Sequence, residues 1–101
     1  MTTETKERKA DSNVVFIGEK PFMNYVTGVV MQFTTHNSDE VVIKARGKFI
    51  SRAVDVAEVS NKRFLENTVE VKDIQIGSED FTNREGRNVK VSFIEITLKR
   101  K

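Results

Sequence analysis

Val69-Glu70-Val71-Lys72-Asp73-Ile74-Gln75-Ile76 and Val89-Lys90-Val91-Ser92-Phe93-Ile94-Glu95-Ile96-Thr97-Leu98 are the two runs that decide the fold. In each, apolar and polar residues alternate and then change parity. Val69 and Val71 give way to Ile74 and Ile76, and Val89, Val91 and Phe93 give way to Ile94, Ile96 and Leu98. Alternation at period two marks a strand with one covered face. Glu79 to Arg87, between the runs, is polar and aperiodic, and its Gly86 can take positive φ, so the pair reads as an antiparallel hairpin. The two parity changes face each other if the turn is centred near Asn83 and Arg84. A parity change within a strand calls for a bulge or a strong twist, placed here at Lys72-Asp73. Beyond Gly77 no apolar segment is left to cover the hairpin. Residues 77–89 are therefore expected to project as an arm of about six residues per strand, roughly 20 Å at ~3.3 Å each.

Upstream, short β-rich runs alternate with helical patterns. Val14-Val15-Phe16-Ile17, ended by Gly18, predicts a strand buried on both faces. Pro21 suits the first position of a helix and holds Lys20 extended. The helix then follows from Phe22, Met23, Tyr25, Val26, Val29, Val30 and Phe33, with Asn24, Gln32 and Thr35 on the other side and Asn37 as a left-handed stop. Val41-Val42-Ile43 predicts a second buried strand. Phe49, Ile50, Ala53, Val54, Val56 and Ala57 predict a second helix over about Phe49 to Phe64, with Lys48, Arg52, Asp55 and Lys62 on its outer face. The order is β-α-β-α-β-β: an α+β two-layer sandwich, with a four-stranded mixed sheet, both helices on one face and a long protruding hairpin. Residues 13–101 make one domain. Residues 1–12 are polar and are expected to form a disordered tail.

Composition excludes much. At 101 residues there is room for one core. Without cysteine there are no disulfides, thiolate nucleophiles or Cys-ligated zinc, and one histidine, His36, cannot build a His-rich metal site. His36 reads as a helix C-terminal residue favoured by the dipole. No apolar run is long enough to span a membrane, and the charged first dozen residues do not resemble a signal peptide. No cofactor, membrane or small-molecule substrate is expected. The net charge of +2 conceals segregation: Lys44 to Arg63 carries +4, Phe64 to Asn83 carries −4, and Arg84 to Lys90 carries +2. Clustered positive charge is the footprint of a polyanion-binding surface.

Three basic elements stand out. Arg46, Gly47 and Lys48 lie between the second strand and the second helix. Cations at a helix N-terminus oppose the dipole unless a phosphate joins them; the alternative is a glycine turn with solvated charges. Lys20 lies at the start of the first helix beside Glu19. Arg84 and Arg87 lie at the hairpin tip, suited to a minor groove or a phosphate ridge, or to solubility alone. Glu79 and Asp80 are adjacent acids that could hold magnesium in a nuclease, or stay solvated. Tyr25 and the phenylalanines fall at core spacing and give no exposed single-strand platform, except that Phe64 follows Lys62-Arg63 at a helix end.

Asn13 to Gly18, Lys20-Pro21, Met23 to Val26, Val42 to Gly47 (Val-Ile-Lys-Ala-Arg-Gly), Ile50 to Asp55, Asn61 to Leu65 and Ile94-Glu95-Ile96 resemble the archaeal Alba chromatin proteins over residues 13–101. That family has the fold of the C-terminal domain of translation initiation factor three. The resemblance implies no enzyme but a homodimer that binds double-stranded DNA without sequence preference, and RNA as well, in the cytoplasm on the nucleoid. Bodies would lie on the backbone and arms would reach toward the minor groove. Carried over by position, Lys20, Arg46, Gly47, Lys48 and Arg52 would make body contacts and Arg84 and Arg87 arm contacts. Phe64 would pack dimer against dimer along DNA. Glu19 departs from the two lysines that many members have after the glycine, which implies weaker, less salt-sensitive binding. An alternative makes the chain an RNA-binding subunit of a ribonucleoprotein such as an RNase P-like complex; others are a metal-dependent nuclease and a pure scaffold.

Overall fold

Apolar side chains at one parity of two strands, Val41, Ile43 and Ala45 against Ile94, Ile96 and Leu98, form the floor of the core. The computed structural model describes residues 13–101, so the expected tail at residues 1–12 lies outside the described residues. The elements are β1 (Val14–Phe16), α1 (Phe22–Thr34), β2 (Glu40–Arg46), α2 (Ile50–Val59), β3 (Val69–Thr82) and β4 (Asn88–Arg100). The sheet order is β1-β2-β4-β3, with β1 parallel to β2 and the other pairs antiparallel. This is the mixed two-layer arrangement that the sequence implies.

Both helices bury one stripe against that floor: Tyr25, Val26, Val29 and Phe33 from α1, and Ala53, Val56 and Ala57 from α2. Pro21 precedes α1 as its cap residue, one position before the expected first turn. Asn37 ends the α1 segment in the left-handed region at φ 57°. The second helical stretch has the expected extent but three pitches. A tight turn over Gly47–Phe49 leads into α2, and a wide turn over Ser60–Phe64 follows, closed by Leu65 N–H on the Ser60 carbonyl at 2.9 Å. The wide turn shifts the phase of the helix, so Leu65 points into the core while Phe64 is 52% exposed.

Two strand readings need correction. β1 is not covered on both faces: it lies at the sheet edge, and Phe16 is 69% exposed. β2 is longer than Val41 to Ile43, and it buries alternate residues, with only one face against the helices. A run of β-branched residues reports strand propensity, whereas the number of covered faces depends on which elements land there.

The hairpin carries the expected bulge, a register shift between Val71 and Asp73 that leaves Lys72 unpaired. Its register is not the expected one. Thr82 pairs with Asn88, so the turn spans residues 83–87 and is centred on Glu85. The two parity changes therefore do not meet, because Phe93 lies opposite Gly77 and Val71 opposite Leu98. In β3 the change reflects the bulge. In β4 the backbone is regular, and apolar residues simply pass from the open face (Val89, Val91, Phe93) to the helix face (Ile94, Ile96, Leu98). Gly77 permits this: a β-carbon there would lie 2.6 Å from the Phe93 ring.

Candidate nucleic-acid interface

The loop between β1 and α1 is fixed by one hydroxyl. Tyr25 Oη accepts hydrogen bonds from the backbone N–H of Gly18 (2.9 Å) and of Lys20 (3.1 Å). Arg52, half-buried on α2, places its guanidinium 5.5 Å from the Tyr25 ring centroid and donates to the Gly18 carbonyl. Lys20 consequently has a set backbone and an exposed side chain, next to exposed Glu19. Arg52 faces this loop, holding it from beneath.

Gly47 turns the chain from β2 into α2 at φ 53°, a region open to glycine at little cost. Arg46 and Lys48 on either side of it are exposed. Ile50 N–H is held by the Gly47 carbonyl, while no side chain caps the tight turn or α2 and no acid lies in the first turn of either, so the N–H groups that open the Gly47–Phe49 turn have no anion of their own. Arg46 does have one, from the arm. Its Nε lies 3.2 Å from Glu79 Oε1, and its guanidinium is 5.5 Å from the Phe81 ring centroid. The approach is off the N–H direction, so Glu79 Oε1, itself shielded from solvent, is ion-paired without a directed hydrogen bond. With both side chains substantially exposed the pair contributes at most about 1 kcal/mol. Lys48 Nζ rests 5.4 Å from the Phe49 ring centroid.

At the tip, Asn83 organises the loop that bears the arm cations. Its Oδ1 accepts the N–H groups of Glu85 (2.9 Å) and Arg87 (3.0 Å), its own N–H donates to the Arg87 carbonyl, and Gly86 takes φ 80°. Arg84 and Arg87 therefore share one short, fully exposed loop.

The structure thus joins Lys20 to Arg52 through Gly18, and Arg46 to the arm through Glu79 and Phe81. Among the described residues no hydrogen bond or ion pair joins Arg84 or Arg87 to the body cations. Glu79 and Asp80 lie on opposite faces of β3, one opposite Val91 and the other opposite Lys90, so they do not converge on a metal ion. No group of three or more potential metal ligands occurs among the described residues. His36 follows the α1 terminus, its N–H on the Met31 carbonyl at 3.0 Å.

Sequence reasoning missed three participants. The Tyr25 hydroxyl falls within an apolar stripe and looks like core. Glu79 lies in the acidic segment, distant in sequence from Arg46. Phe81, at 40% exposure, stands off the core beside the Arg46 guanidinium. Only the pairing of the arm with the body reveals Glu79 and Phe81, whereas Tyr25 finds its partners in the adjacent loop.

An uncapped, cation-flanked helix start beside a two-stranded extension tipped by Arg84 and Arg87 defines a small α+β domain that presents positive charge at its loops. Residues 13–78 match the Alba family model, and the chain belongs to that family. It is 48% identical over 86 residues to a protein of Methanococcus maripaludis named DNA/RNA-binding protein Alba, covering 85% of this chain and 96% of the relative. A protein of the same name from Methanocella arvoryzae is 52% identical over 90 residues, with 89% and 92% covered. Among solved structures, Alba from Thermoplasma volcanium superposes with a TM-score of 0.79 at 45% identity, covering 87% of this chain and 100% of that one. ALBA1 from Trypanosoma brucei shares the fold, with a TM-score of 0.69 at 24% identity, covering 88% of this chain and 69% of that one.

Proposed function

We propose that this chain is a non-enzymatic nucleic-acid-binding module: a homodimeric architectural protein of the nucleoid. It takes double-stranded DNA without sequence preference, and RNA as well. The observation that carries this reading is the arm. Two paired strands run beyond the helices and end in Arg84 and Arg87 on a loop that Asn83 holds in shape, and no core residue depends on them. The names of the archaeal relatives support it. Lys20, Arg46, Gly47 and Lys48 then supply body contacts to phosphates, Arg52 positions the Lys20 loop, and Arg84 and Arg87 reach the groove.

Support for the homodimer comes from the outer edge of the sheet. Ile74 and Ile76, 57% and 79% exposed, lie opposite buried Ile96 and Ile94, so the core continues into an uncovered apolar strip along β3. Exposed Phe64 is the corresponding candidate for packing dimer against dimer.

The test is affinity for duplex DNA across a salt series, for wild type, Arg46→Ala and Arg84→Ala. The proposal expects each substitution to weaken binding equally on unrelated sequences. No retention on DNA at low salt would reject it in favour of a protein scaffold. Competition between duplex DNA and structured RNA at fixed salt decides whether the chain serves chromosomes or a ribonucleoprotein.

A further inference from the structure

The face of the sheet turned away from the helices carries a cavity of about 490 Å³, where β1 ends and β2 turns into α2. Strand pairing aligns Phe16, Lys44 and Glu95 in one row across it and Arg46 and Phe93 in the next, while Glu79 closes the rim from the arm. The Phe16 ring is 69% exposed. Lys44 Nζ lies 5.8 Å from its centroid and 3.7 Å from the Glu95 carboxylate.

The charge at this cavity is balanced, with Lys44 and Arg46 against Glu95 and Glu79. A phosphate or acidic peptide seated inside would meet both carboxylates, and a basic group would meet both cations. A neutral planar group with donors and acceptors around its edge meets neither objection, and the volume is ample for one such unit. We infer that the cavity takes an unpaired nucleobase, its ring on Phe16 and its polar edge against the Lys44–Glu95 ion pair, whose ammonium donates to base acceptors and whose carboxylate accepts from base N–H groups. The attached phosphate leaves toward Arg46 at the rim. A base inside a duplex has both faces covered by its neighbours and cannot lie on this ring, so the site selects single strands, loops and bulges. This inference rests on the nucleic-acid reading above and adds a second ligand surface, on the open face of the sheet, to the cations of that reading.

The test uses a duplex with one bulged 2-aminopurine, whose fluorescence reports stacking, alongside oligothymidylate, oligouridylate and a perfect duplex. Phe16 is replaced by Ala and, to retain apolar bulk without a ring, by Leu. The wild type is expected to change the 2-aminopurine signal and to bind both single strands. Phe16→Ala and Phe16→Leu should abolish that change and weaken single-strand binding about tenfold, with perfect-duplex affinity unaltered. Unaltered single-strand binding in the Leu variant, with duplex binding intact, overturns the inference alone. Failure of the wild type to bind even the perfect duplex overturns the underlying nucleic-acid reading instead.

Discussion

The two halves of β4 have similar sequences and opposite environments. Val89, Val91 and Phe93 alternate with Lys90 and Ser92, as Ile94, Ile96 and Leu98 alternate with Glu95 and Thr97. The C-terminal half lies beneath the helix layer, chiefly under α2, and Leu98 is completely buried. In the N-terminal half, residues 88–92 pair only with β3, and Val89 is 38% exposed. Alternating β-branched residues therefore specify a strand, while stability is decided by what the rest of the chain lays over it. One half holds the domain together. The other is a free-standing ribbon whose backbone is satisfied but whose side chains serve no core.

That contrast can be broken by substitution. Leu98→Ala should cost about 2–5 kcal/mol in denaturant unfolding, since it empties a fully buried site. Tyr25→Phe should cost about 1–3 kcal/mol by leaving the Gly18 and Lys20 N–H groups without an acceptor, and amide hydrogen exchange should rise in that loop. Arg84→Ala should leave stability unchanged and flatten the slope of log K against log salt by ~0.9 on duplex DNA, the loss of one phosphate contact. Glu19→Lys should steepen the same slope by ~0.9, and an unchanged slope would count against Lys20 lying on the bound backbone. Val89→Ala should change stability by no more than about 0.5 kcal/mol. A Val89 effect as large as that of Leu98 would mean that the ribbon is covered after all, as an unseen partner surface would require.

Local features were readable in the residues themselves. The left-handed Asn37, the bulge beside Lys72, the glycine turn at Gly47 and the exposed Phe64 each follow from steric or periodic signals within a few positions. The hairpin register was not, because Phe93 is apolar on the open face for a reason three strands share. It packs over Gly77 beside Arg46, and neither neighbour lies near it in sequence. The candidate site divides in the same way. Its cations are visible as a charge pattern, whereas the Glu79 carboxylate acquires its role only from strand pairing and the Tyr25 hydroxyl from the way the preceding loop folds back on α1. Arg52 shows the difference within one residue: a basic side chain on an outer helix face in the sequence, and a donor to the Gly18 carbonyl in the folded chain.

The ion pair between Arg46 and Glu79 sets how strongly that arginine can respond to salt. A nucleic-acid oxygen that displaces the carboxylate leaves Glu79 to attract a cation from solution while the polymer sheds one, so the net number of ions liberated at this position is close to zero. In the proposed binding mode Arg46 would then grip the backbone at high and low ionic strength alike, and the exposed lysines and tip arginines would impart the salt sensitivity.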